Sequence, residues 1–192
     1  MQYPTISEYV KANQDASDNL DMSTKVTEEE LNEAIIDEFG VKYSKDGRKL
    51  LKVPYELNGT NSIKEGVRII CDEAFLDLSL RSLVIPDSVT SIGNSAFSGC
   101  KSLESLVIPD GVTSIGYCVF RGCSSLTDIV IPDSVTSIEN CAFEDCSSLT
   151  DIVIPDSVTS IGSGAFKECN FPNDIEQELI SRFGEEIFKE TF

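Results

Sequence analysis

Histidine and tryptophan are missing from this chain of 192 residues. Without histidine the commonest general base and metal ligand near neutral pH is gone, and no Ser-His or Cys-His nucleophile can be assembled. Basic residues are scarce: 15 Lys and Arg against 33 Asp and Glu leave a net charge of -18. That surplus opposes nucleic acid and anionic lipid, which both need neutralising cations. The expected partner is a protein with a neutral or basic surface, with no nucleic acid and no membrane. The segment Met1 to Lys25 shows no basic start leading into an apolar run, and no apolar stretch approaches the length of a membrane span. The expected location is therefore the cytoplasm, the alternative being a cell surface reached with an export signal outside this sequence. No Walker-type loop is present, and Gly162-Ser163-Gly164 reads as a turn.

What is present is a period. Pro86, Pro109, Pro132 and Pro155 recur at a constant step of 23, each followed by Asp, and Ile92, Ile115, Ile138 and Ile161 keep the same step. So do Phe97, Phe120, Phe143 and Phe166, and Cys100, Cys123, Cys146 and Cys169. A degenerate unit precedes them, with Val67-Arg68-Ile69-Ile70 and Ala74-Phe75 in the matching places, which makes about five coils. Within a coil, Leu103-Glu104-Ser105-Leu106-Val107-Ile108 alternates as a strand does, and a second extended stretch, Val112-Thr113-Ser114-Ile115, follows the Pro-Asp turn. One isolated coil buries too little to offset its ordering entropy, so the units have to stack.

Residues 63–169 closely resemble the BspA-like leucine-rich-repeat family, whose units read roughly L-x-x-I-x-I-P-x-x-V-x-x-I-G-x-x-A-F-x-x-C. The resemblance implies an α/β repeat: a right-handed solenoid with parallel strands on its concave face. Surface-exposed members of the family act as adhesins.

The flanks read as caps, since open terminal coils would expose apolar faces and strand edges. Over residues 26–62, Thr27 and Glu30 form a capping box for a helix carrying Leu31, Ile35 and Phe39 and stopping at Gly40. A hairpin around Asp46-Gly47 follows, from Val41-Lys42-Tyr43-Ser44 to Lys49-Leu50-Leu51-Lys52-Val53. Over residues 170–192, Asn173 and Glu176 can cap a helix carrying Ile175, Leu179 and Phe183, with Gly184 as its stop. Residues 1–25 read as a partly disordered leader in which Thr5 and Glu8 could cap a short helix through Val10. Asn58-Gly59-Thr60 matches a glycosylation acceptor but reads as a turn.

Seven cysteines are an odd number, and a ladder in step with the repeat suits buried, reduced thiols better than disulfides or a zinc site built from Cys118, Cys123, Cys141 and Cys146. Asp87, Asp110, Asp133 and Asp156 form an acid column; acceptance of turn amide hydrogen bonds is favoured over a calcium edge. Val84, Val107, Val130 and Val153 lie between inward positions and should point outward, bordered by Arg81, Glu104, Thr127 and Thr150 and by Asp128 and Asp151. Those ten residues are the candidate partner-binding set. No catalytic residue, metal site or cofactor is assigned.

Residues 123–138 and 146–161 are identical. A repeated surface suits an extended partner, whereas an active site needs unlike groups converging. Gly116-Tyr117-Cys118, Arg121 and Glu144-Asp145 supply what individuality there is. The expected function is a non-enzymatic protein-protein interaction scaffold using the concave face. The alternatives are a cell-surface adhesion module and, third, a thiol-dependent enzyme at Cys118 or Cys123.

Overall fold

Alternating burial builds each coil. In the computed structural model, which describes residues 22–55 and 62–189, Leu106 of strand Ser105–Val107 is buried while Ser105 and Val107 are exposed, and Ile129 is buried between exposed Asp128 and Val130. Pro109 and Pro132 then begin tight turns closed by Val112 and Val135, whose amides donate to the proline carbonyls at 3.0 and 3.1 Å. A short second strand follows, and an arch carrying Ala-Phe-x-x-Cys returns the chain to the next coil.

The elements in chain order are α1 (Glu28–Asn32), β1 (Ile35–Ile36), β2 (Lys42–Tyr43), β3 (Lys49–Lys52), β4 (Ile69–Ile70), β5 (Ser91–Ile92), β6 (Ser105–Val107), β7 (Ser114–Ile115), β8 (Asp128–Val130), β9 (Ser137–Ile138), β10 (Ser160–Ile161) and α2 (Asn173–Phe183), followed by a 3-10 turn at Glu185–Phe188. Equivalent strands of successive coils pair in parallel and in register, Ser105 with Asp128 and Val107 with Val130, Ile115 with Ile138 and Ile138 with Ile161. The long-strand side is sparser than expected. Among the described residues only β6 and β8 form a ladder there, joined to neighbouring coils by single parallel bridges at Ser82–Ser105 and Ser62–Val84. No strand forms around Val153.

The arch is held in a different way. Ser95, Phe97 and Gly99 donate their amides to the Tyr117, Val119 and Arg121 carbonyls of the next coil, and Cys118, Phe120 and Gly122 do the same toward Asn140, Ala142 and Glu144. The short strands run the opposite way, with Thr136 and Glu139 donating back to Thr113 and Ile115. Aligning three peptides in one direction requires two left-handed residues per coil. Ser95, Cys118 and Cys141 take φ of 54, 54 and 56° ahead of the phenylalanine, and Gly99, Gly122 and Asp145 take 71, 72 and 61° after it. For the non-glycine residues this costs about 1 kcal/mol each, a strain that the surrounding stack sustains.

The core runs the length of the array. Phe75, Phe97, Phe120, Phe143 and Phe166 stack at centroid separations of 4.9, 5.6, 5.3 and 5.5 Å. Leu103, Leu126 and Leu149 are fully buried alongside them.

Both flanks differ from the sequence expectation. The first helix stops at Asn32, although its Thr27–Glu30 capping box forms. Ile35 and Ile36 then pair antiparallel with Tyr43 and Lys42 instead of continuing the helix, and Leu31 and Phe39 are left exposed. The reason is Asp37, whose Oδ1 accepts the Phe39 and Val41 amides at 2.9 Å and fixes a turn that Gly40 completes at φ 81°. The hairpin around Gly47 forms, and its second strand, β3, pairs in parallel with β4, so the repeat ladder begins one strand earlier than the repeat motif does.

At the other end α2 lacks the expected cap: Asn173 is its first helical residue, and Pro172 precedes it with no side-chain hydrogen bond. The helix instead docks by burying Leu179 and by Arg182, whose guanidinium donates to the Ile154 and Pro155 carbonyls. Beyond Gly184 the chain returns to the arch. Gly164 and Phe166 donate to the Glu186 and Ile187 carbonyls, and Phe188 packs 6.2 Å from Phe166. Residues 185–188 thus stand where the next Ala-Phe would. The short helix considered through Val10 and the Asn58-Gly59-Thr60 turn lie outside the described residues.

Candidate functional site

The β6–β8 side carries the candidate surface. Because Ser105 and Val107 share one face of β6, and Asp128 and Val130 share the same face of β8, each valine projects beside a polar neighbour. Val84, Val107, Val130 and Val153 are 63, 61, 51 and 77% exposed, whereas the isoleucines that follow them, Ile85, Ile108, Ile131 and Ile154, are buried. An open hollow of about 440 Å³ lies on this face, rimmed by Ser82, Val84, Ser105, Val107, Asp128 and Val130. Val153 lies outside its rim. Thr127 turns its hydroxyl to the Glu104 carbonyl at 3.2 Å, so it offers a methyl and little free hydrogen-bonding capacity. Arg81 and Glu104 form an exposed ion pair at 3.6 Å, and Thr150, Asp128 and Asp151 are exposed.

The acid column at the turns behaves differently from its expected local role. The Asp87, Asp110, Asp133 and Asp156 side chains are exposed and accept no turn amide; the turns close through the proline carbonyls instead. Aspartate here occupies the residue after the first of the turn, from which its carboxylate does not meet the closing amide, so these groups remain solvated and unpaired.

Asparagines that the repeat reading passed over do serve as acceptors between coils. Asn94 Oδ1 takes the Tyr117 amide and Asn140 Oδ1 the Ser163 amide, both at 3.0 Å. The signal in sequence was their place just ahead of the arch in alternate coils, the same place from which Asp72 accepts the Asn94 amide. On the arch surface Glu144 is buried between Arg121 at 3.0 Å and Lys167 at 3.4 Å, so the residues that break the repeat's uniformity form one three-coil charge ladder.

The thiols point inward. Cys100, Cys123, Cys146 and Cys169 donate to the Phe75, Phe97, Phe120 and Phe143 carbonyls at 3.1–3.2 Å. Burial pushes Cys100 and Cys169 up to about 12, drives Cys123 and Cys146 higher still, and raises Cys118. A thiol held protonated is a poor nucleophile, which counts against the thiol-enzyme alternative at Cys118 and Cys123. Iodoacetamide at pH 8 is expected to leave the Cys100 ladder unlabelled in the folded chain and to label it in urea; prompt labelling of Cys123 in native protein would overturn the assignment. Because these thiols ionise near 9 when unfolded and near 12 or above when folded, their contribution to stability is present below pH 9 and is lost as the pH rises toward 12.

Among the described residues, no group of three or more Cys, Asp or Glu could hold a metal ion, and no helix is long and apolar enough to cross a membrane.

Comparison with known proteins bears on this arrangement. A search of curated proteins found no match. Among solved structures, a leucine-rich-repeat protein of T. pallidum is 34% identical with a TM-score of 0.55, covering 68% of this chain and 64% of its own. A leucine-rich cell surface protein of Faecalibacterium prausnitzii A2-165 is 30% identical with a TM-score of 0.65, covering 83% of this chain and 43% of its own. The chain thus spans under two thirds of either. The model of the BspA-type leucine-rich-repeat region matches residues 68–192 in six copies, a span that takes in Ile187 and Phe188 beyond the five stacked phenylalanines. With the parallel pairing, the in-register phenylalanines and this match in agreement, the chain belongs to the BspA-type leucine-rich-repeat family.

Proposed function

We propose that this chain is a non-enzymatic protein-binding module that works at a cell surface and holds its partner on the β6–β8 side. The observation that carries this reading is the column of four exposed valines, two of them on β6 and β8, in segments whose alternate residues are buried. Exposed apolar side chains in register, beside an open hollow, gain from being covered, at about 1.5–3 kcal/mol for each valine fully buried. In this reading the coils wind as a right-handed solenoid, the β6–β8 side is its concave face, residues 63–169 form the array, and the flanking segments 26–62 and 170–192 are its caps.

Location at a surface is favoured over the cytoplasm expected from sequence because the Faecalibacterium relative is described as a cell surface protein. The thiols are compatible with it: six of the seven are buried and the seventh, Cys169, is partly so, which slows oxidation outside the cell. Protease treatment of intact host cells tests the location, since a surface protein is cut while the cells stay whole and a cytoplasmic one survives.

For the binding face, Val107→Lys plus Val130→Lys places two solvated cations in the middle of the column without touching the core. Affinity for any protein recovered with the unmodified chain is expected to fall at least tenfold, about 1.4 kcal/mol or more. Equal recovery with the unmodified and doubly substituted chains would remove this face from consideration.

A further inference from the structure

The charge around the valine column narrows the partner further, on the premise that this face is the one that binds. Asp128 lies on the same strand face as Val130, and Asp151 keeps the corresponding place beside Val153 in the next coil. At the far end of the strands stand Asp87, Asp110, Asp133 and Asp156. All six carboxylates are exposed, and none has an ion-pair or hydrogen-bond partner among the described side chains. On the arch, by contrast, Glu144 is flanked by Arg121 and Lys167. Of the cations near the column, Arg81 already faces Glu104, and Lys64, in the segment paired with Val84, faces Asp37. Arg182, at the C-terminal end of the column, is turned to the Ile154 and Pro155 carbonyls. Negative charge is therefore left uncompensated beside the exposed valines.

We propose that the occupant of this face is an extended, lysine- or arginine-rich segment of a partner protein, its apolar side chains over the valines and its cations between the two acid columns. Within the columns equivalent side chains recur about 4.8 Å from coil to coil, so every coil offers a valine beside a turn aspartate, a series that an extended chain can follow and a globular knob cannot. A second copy of this chain fits poorly, since two molecules each of net charge -18 would bring like columns together. A metal ion fits no better, because among the described residues these carboxylates gather into no group of three.

The test uses the full chain and three fluorescent peptides of about eight residues, long enough when extended to cross the four coils. One alternates Lys and Val, one Glu and Val, and one Ser and Val, and binding is read as anisotropy. The Lys-Val peptide is expected to bind at least tenfold tighter than Glu-Val and to weaken severalfold at about 0.5 M salt. Asp128→Asn plus Asp151→Asn should weaken it at least fivefold, while Glu139→Gln plus Glu168→Gln, which removes the same charge away from this face, should leave it within twofold. Equal weakening in both double variants, or equal binding of Glu-Val, would overturn the proposal by showing attraction to net charge alone or no charge selection. Should Ser-Val bind as tightly as Lys-Val, and both be lost in Val107→Ser plus Val130→Ser, the protein-binding face stands and its basic partner does not. Retention of every peptide by that valine variant sinks both readings. A dimer in sedimentation that dissociates on the valine substitution would identify the occupant as a second copy instead.

Discussion

Phe120→Ala is expected to destabilise the chain by about 3–5 kcal/mol, the range for emptying a fully packed aromatic site. Phe120 is wholly buried, with Phe97 stacked at 5.6 Å on one side and Phe143 at 5.3 Å on the other, so truncation removes two ring contacts at once and leaves a cavity in the middle of the array. Position along the stack should matter as much as chemistry. Each coil touches only its neighbours, and a weak unit in the centre uncouples the two halves, whereas a weak unit at an end merely frays. Phe188→Ala, at the C-terminal end and only half-buried, should therefore cost under half as much. Urea denaturation checks both. The central variant should also show a shallower transition, as the halves melt separately. Equal losses within about 1 kcal/mol for Phe120→Ala and Phe188→Ala would contradict a nearest-neighbour stack.

The second large effect is expected at the opposite end, from Asp37→Ala. Its carboxylate is 4% exposed; one oxygen holds the Phe39 and Val41 amides, and the other meets Lys64 Nζ at 3.1 Å. Lys64 lies over the ring of Tyr43, whose phenol is held well above its ordinary value by burial and then by the Asp37 charge and hydrogen bond. Removing the carboxylate leaves two amides and the Tyr43 hydroxyl without their acceptor and the partly exposed Lys64 without its counter-ion, an expected loss of about 2–4 kcal/mol. Asp37→Asn keeps an oxygen for the amides but gives up the charge, so about half of that loss should return. Thermal unfolding of the three proteins decides it, and a midpoint for Asp37→Ala within about 1 °C of wild type would show that the turn is held by other contacts.

How far these features were legible in the sequence varies along the chain. Wherever the repeat step is kept, buried and exposed positions could be read directly, because periodicity reports packing: Leu106 in, Val107 out, Phe120 and Cys123 inside. The flanks carry no such redundancy. Leu31, Ile35 and Phe39 have helical spacing, yet one short-range acceptor, Asp37, outweighs that pattern and turns Ile35 into a strand residue. Ile187-Phe188 went unrecognised as a continuation of the arch, since a helix stands in place of the Pro-Asp turn and both extended stretches. Within the candidate face, outward direction follows from alternation alone. That the neighbouring aspartates lack partners does not, because pairing depends on which side chains other coils bring near.

In each arch three amides donate toward the carboxyl end of the array, and the segment 123–138 recurs unchanged as 146–161. Any coil can therefore donate to, and receive from, any other coil through the same atoms. Loss or duplication of one whole repeat unit in the gene would re-form the arch backbone hydrogen bonds of every remaining junction, although side-chain contacts such as the Arg121–Glu144–Lys167 ladder would change. The number of coils, and with it the reach of the protein, is then a quantity that recombination can adjust while the backbone ladder of the arch is kept.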